Sequence, residues 1–66
     1  MAPEQTKIRT ITQIIGFARR LPNTPGSITK VGMATDEALS RGLLDRMTAA
    51  AVFFKALLRL GQGPKS

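Results

Sequence analysis

The sequence predicts an all-α protein made of two amphipathic helices, at about 4–21 and 36–60, that are joined by a hinge at 22–35. Three observations lead to this fold class. Apolar residues recur at helical spacing in both segments, and proline and glycine interrupt the stretch between them. In addition, 42% of the 66 residues are hydrophobic, which separates the chain from disordered basic tails despite its formal net charge of +6. A chain of this length forms one small unit.

The first helix, 4–21, is predicted from an apolar face and from the prolines at its ends. Pro3 precedes the segment, where it does not interrupt a helix, and Pro22 ends it. A helical wheel places on one face the apolar residues Ile8, Ile11, Ile14, Ile15, Ala18 and Leu21. Because residues 6–12 are rich in β-branched side chains, a strand is the competing interpretation of that stretch.

The hinge at 22–35 is predicted from its prolines and glycines. Pro25-Gly26 is a dipeptide typical of turns. The large apolar residues of this segment are too few for an element of their own, and we expect them to pack over the ends of the two helices: Ile28, Val31 and Met33.

The second helix, 36–60, has a predicted start and a predicted stop. Thr35 is a good N-cap, and Asp36 and Glu37 place negative charge in the first turn. Arg59 in the last turn, followed by Gly61, indicates the end of the helix, which at 1.5 Å per residue is roughly 38 Å long. Residues 61–66 are interpreted as a frayed tail.

The second helix carries more apolar surface than a two-helix hairpin can bury. Its apolar arc is about 200° wide, against the roughly 100° that a surface helix needs. We therefore expect a second copy, a larger protein assembly or a membrane surface to cover part of it. The predicted contact stripe consists of Leu39, Leu43, Met47, Ala50, Phe54, Leu57 and Leu58. The opposing residues on the first helix are Ile8, Ile11, Ile15 and Ala18.

The residue types that are missing argue against an enzyme. The chain has no cysteine and no histidine, so it lacks a thiolate nucleophile, an imidazole base and the usual zinc ligands. Two of the four acids, Asp36 and Glu37, are neighbours whose side chains diverge by about 100° on a helix. The sequence accordingly predicts no catalytic residue, no cofactor site and no metal site.

The positive charge lies in two blocks without acids, one between Glu4 and Asp36 and one after Asp45. Such a field attracts an acidic protein surface, an anionic lipid or a nucleic acid. The predicted anion contacts are Arg9, Arg19, Arg20, Lys55 and Arg59. We expect a non-enzymatic basic helical adaptor or accessory subunit. The alternative is a small basic dimeric nucleic-acid-binding protein that uses a ribbon strand at 6–12 or a basic helix face that contacts phosphates.

Targeting signals are weak in this chain. No cleavable secretory signal is visible, and an intracellular or organellar location is the favoured interpretation. The basic N-terminal segment partly resembles a mitochondrial presequence, although Glu4 lies where such peptides avoid acids. The charge-free apolar stretch 47–54 is far shorter than the about 20 residues of a membrane span, so membrane association would be peripheral.

Overall fold

The computed structural model describes residues 4–63, and this part of the chain forms three α-helices and no strand. Helix α1 spans Glu4–Arg20, α2 spans Pro25–Ser40 and α3 spans Arg46–Arg59. The prediction of an all-α fold is confirmed. The prediction of two helices joined by a hinge is wrong, because the hinge is a helix and the second helix is interrupted.

Helix α1 ends within one residue of the predicted boundary. Residues 6–12 belong to it, so the strand interpretation of that stretch is wrong. The buried face repeats every four residues through Thr10, Ile14 and Ala18. The Thr10 hydroxyl donates to the Thr6 carbonyl oxygen at 2.8 Å, which lets a polar β-branched side chain be buried inside the helix.

The predicted hinge at 22–35 is wrong because Pro25 begins a helix. A proline at the first helical position loses no hydrogen bond, since the first amides of a helix have no partner within it. Thr24 is the N-cap, and its hydroxyl oxygen accepts from the Ser27 amide at 3.4 Å. Thr35, predicted as an N-cap, is instead buried in the middle of α2 and donates to the Val31 carbonyl oxygen at 2.8 Å.

The predicted helix 36–60 is wrong at residues 41–45. Gly42 has a φ of +74°, a left-handed conformation that ends α2. The Gly42 amide donates to the Leu39 carbonyl at 3.1 Å and the Leu43 amide to the Ala38 carbonyl at 2.9 Å, the hydrogen-bond pattern of a Schellman motif. Asp45 then caps α3, where its carboxylate accepts from the Thr48 amide at 2.7 Å.

The three helices form an up–down–up bundle in which each helix packs against the other two. Lys7 lies near enough to Asp45 to act on its charge, and the Gly61 amide donates to the Leu21 carbonyl at 2.8 Å. Corresponding ends of α1 and α3 therefore lie side by side. These two helices run in the same direction, and α2 runs in the opposite one.

The core consists largely of small side chains, and the bundle measures 33 × 25 × 15 Å. Ala18, Val31 and Ala56 have no exposed area. The other buried apolar residues are Ile14, Ala38, Leu44, Ala49, Val52 and Leu60. A core of this size leaves several large apolar side chains at the surface.

The chain after α3 is held against α1. Gly61 has a φ of +77°, which agrees with its predicted place at the helix stop, and the Gly63 amide donates to the Arg19 carbonyl at 2.6 Å. The predicted frayed tail is therefore wrong for residues 61–63. Residues 64–66 lie outside the described part.

Candidate interaction surface

Helix α3 carries a row of exposed apolar side chains on its outward face. Met47 is 84% exposed, Phe54 66% and Leu58 75%. At about 100° per residue these three positions fall within about 40° of one another around the helix axis. Ala51 is also exposed and extends the row between Met47 and Phe54. We call Met47, Ala51, Phe54 and Leu58 the α3 stripe.

The opposite face of α3 belongs to the core. Ala49, Val52 and Ala56 are buried there, about 180° from the α3 stripe. The wide apolar arc predicted from the sequence therefore divides in two. One half closes the bundle, and the other half faces outward.

The residues of the predicted contact stripe do not form one continuous surface. Leu39, Leu43 and Leu57 are partly buried and pack on the core. Leu39 lies in α2 and Leu43 in the loop, because Gly42 ends the helix that was predicted to carry them. Ala50 is exposed and lies beside α2. The exposed large residues of the predicted set are Met47, Phe54 and Leu58 on α3, with Ile8 on α1.

The predicted contacts of α1 lie away from its groove with α2. Thr10, Gln13, Ile14 and Phe17 line that groove, and the helix positions of Ile8, Ile11 and Ile15 are turned away from it. Ile11 packs on the core, Ile15 is partly buried and Ile8 is exposed.

The charges of residues 4–63 are divided between the two ends of the bundle. One end holds five exposed cations and no acid, and we call these residues the basic end: Arg19, Arg20, Lys30, Lys55 and Arg59. The other end holds the four acids together with four cations, which balance them: Glu4, Asp36, Glu37, Asp45, Lys7, Arg9, Arg41 and Arg46. The whole excess of positive charge in the described part thus lies at one end.

Four of the five predicted anion contacts belong to the basic end, and Arg9 does not. The sequence order concealed this division, because Arg9 and Arg20 lie in the same acid-free block. Lys30, which was not among the predicted contacts, joins the basic end because α2 runs back along α1.

Cations border the α3 stripe on both sides. Around the helix axis, Arg46 lies about 100° to one side of the stripe and Lys55 about 80° to the other. Residues 46–59 contain no acid. The Phe54 ring is tilted against the Phe53 ring with 6.0 Å between their centroids, and Phe53 in turn contacts Gly32 of α2.

Two open grooves flank α2 in the described part of the chain. The groove against α1 has a volume of about 270 Å³, and the groove against α3 about 380 Å³. The two charged residues at the first groove already pair with each other, since Arg41 Nη2 lies 2.8 Å from Glu37 Oε2. Within residues 4–63 every buried side-chain nitrogen or oxygen has a hydrogen-bond partner, and no three potential metal ligands come together.

The environment of Asp45 shifts the pKa of its carboxyl group. The side chain and the amide of Thr48 hydrogen-bond to the carboxylate and lower the pKa of Asp45 below its ordinary 3.8, and the positive charge of Lys7 adds to this. This shift is the signature of an N-cap, so it does not indicate a catalytic acid.

Comparisons with known proteins provide no further assignment. No protein-family model, no curated protein and no solved structure matches this chain. None of the helices in residues 4–63 combines the length and the hydropathy that crossing a bilayer would require.

Proposed function

We propose that this chain is a non-enzymatic helical binding module, an adaptor or accessory subunit that packs the α3 stripe against a partner. One observation carries the proposal: α3 is apolar on two opposite faces, and the bundle covers only one of them. Burying a large apolar side chain is worth about 1.5–3 kcal/mol, so covering Met47, Phe54 and Leu58 would stabilise a complex appreciably.

The chemistry of the chain supports a binding role over catalysis. The sequence contains neither cysteine nor histidine. The charged side chains at the two grooves beside α2 are exposed, and two of them, Glu37 and Arg41, form an ion pair. An apolar stripe bordered by cations is instead a feature of surfaces that bind.

Photo-crosslinking in the cells of origin tests this proposal. A photoreactive residue at Met47 should form adducts with whatever covers the α3 stripe. The same residue at Thr12, which is exposed on the outward face of α1, serves as the matched control. Adducts from position 47 and not from position 12 are expected. Equal labelling from both positions, or none from either, would contradict the proposal.

The basic end favours a second candidate function, the binding of nucleic-acid phosphates. Five exposed cations without an acid provide the charge for such contacts. A ribbon strand is not available, because residues 6–12 are helical. This candidate predicts salt-dependent binding to duplex DNA that Arg20→Gln weakens and Phe54→Ser leaves unchanged. No binding at low salt would eliminate it.

A further inference from the structure

We infer that the partner of the α3 stripe is the surface of an anionic lipid bilayer. This inference rests on the proposed function and specifies the chemistry of the partner. It depends on three features of the described residues, namely the charges beside the stripe, the shape of the stripe and the position of the basic end.

The charges beside the stripe favour an anionic partner. Arg46, Lys55 and Arg59 border it; Arg46 shares the groove beside α2 with Asp36, whereas Lys55 and Arg59 belong to the basic end, which holds no acid. A second copy packed stripe against stripe would bring these cations close to identical cations, and like charges across an interface are unfavourable. Anionic lipid headgroups supply the opposite charge along the whole length of the helix.

The shape of the stripe matches a fluid, flat surface. The stripe is a ridge on the convex face of a helix, and from Met47 to Leu58 it extends for roughly 16 Å. A protein partner would need a groove of complementary shape, whereas acyl chains rearrange around inserted Phe, Leu and Met side chains. The stems of Lys55 and Arg46 can lie along the ridge while their charged groups reach the phosphates.

The basic end determines how the bundle approaches the bilayer. Leu58, at one end of the stripe, is followed directly by Arg59, and Arg19 and Arg20 lie at the same end of α1. We therefore expect α3 to lie in the plane of the headgroups, with its C-terminal end closest to them. An amphipathic helix in this orientation binds at the interface without spanning the bilayer.

Vesicle flotation with the full chain tests the inference. We expect the chain to float with vesicles of phosphatidylcholine and phosphatidylglycerol in a 3:1 ratio, and to float at least tenfold less with pure phosphatidylcholine. Phe54→Ser should weaken binding to the anionic vesicles at least tenfold. Met33→Ser is the matched control, because Met33 is also 66% exposed but stands on α2 away from the α3 stripe, and its binding should stay within twofold of wild type.

Three results would overturn the inference: no flotation with the anionic vesicles, equal flotation of wild type and Phe54→Ser, or a dimer in sedimentation that forms without vesicle binding. Circular dichroism of each variant establishes that the fold is intact. If vesicle binding fails while Met47 still crosslinks to a protein, the membrane inference falls and the proposed binding module stands.

Discussion

At the scale of single residues, two glycines occupy positions with different backbone conformations, one helical and one left-handed. Gly16 lies within α1 and Gly42 ends α2 with a φ of +74°. A methyl group added at either position would meet no atom within 4 Å, so backbone conformation alone determines the effect of a substitution. This makes the pair a direct probe of where the chain is helical.

Alanine substitutions at these two positions should act in opposite directions. Gly16→Ala should stabilise the bundle by about 0.5–1 kcal/mol, because alanine loses less entropy in a helix. Gly42→Ala should destabilise it by about 1–2 kcal/mol, because the left-handed conformation is unfavourable for a residue with a Cβ atom. Chemical denaturation measures both free energies. Stabilisation by Gly42→Ala would indicate that the helix continues through residue 42.

Asp45 should make the stability of the bundle depend on pH. Its pKa is lowered in the folded state, so its stabilising contribution is present above about pH 4 and is lost as the pH falls through the lower folded value. Asp45→Asn keeps a capping oxygen that does not titrate. We expect the difference in Tm between wild type and this variant to shift in favour of the variant between pH 7 and pH 2.5. A constant difference would contradict this role.

At the scale of elements, the interruption at 41–45 gives neighbouring apolar residues different roles. Leu44 is buried in the core, whereas Met47 is exposed on the α3 stripe. Leu44→Ala should therefore destabilise the fold by about 2–5 kcal/mol. Met47→Ala should change the stability by at most about 0.5 kcal/mol. Denaturant unfolding of the two variants checks both values, and similar losses would contradict the assignment of faces.

The sequence was sufficient to predict α1 because its apolar period and its flanking Pro22 agree. It was not sufficient to locate α2, because Pro25-Gly26 also suits a turn. The signal that identifies α2 is the order of residues: Thr24 as cap, Pro25 at the first helical position and Ser27 within reach of the cap. Hydrophobic period and capping have to be considered together at such a position.

The interruption of the second helix escaped prediction for a different reason. Helical spacing continues across it through Leu39, Leu43 and Met47. The apolar pattern therefore gives no sign that the chain changes direction there. Gly42, followed three residues later by Asp45, is the stop-and-start signal in this stretch.

For the same reason, the sequence could predict that an apolar surface is exposed but not which residues form it. The width of the apolar arc predicted that something covers it, but α2 decides which half the bundle buries. Phe53 lies in the groove beside Gly32 of α2, whereas Phe54, the next residue, faces outward. Helical periodicity places Phe54 on the apolar face and Phe53 at its border, and does not say which of the two is covered. The packing of α2 distinguishes them.

At the scale of the whole molecule, the excess positive charge lies at one end, and the α3 stripe runs along one side of the bundle toward that end. The basic end lies where the α3 stripe finishes, and the opposite end is electrically balanced. We expect an anionic surface to orient such a bundle before its apolar side chains make contact. The two ends should therefore contribute unequally to binding.

Two arginines on α1 allow this inequality to be measured. Arg9 and Arg20 are both exposed and lie on the same outward side of the helix, three turns apart. Arg20→Gln should weaken binding to anionic vesicles at least threefold at low ionic strength, and Arg9→Gln should leave it within experimental error. Equal losses would mean that net charge, and not its placement, drives the association.

The hydrogen bonds from residues 61–63 to α1 also limit how early the bundle can be completed during synthesis. The Arg19 carbonyl is made first, and its donor, Gly63, is added 44 residues later. At 5–20 residues per second, the end of the first helix waits roughly 2–9 s for the groups that satisfy it. The nascent chain therefore cannot complete these contacts until residue 63 has been translated.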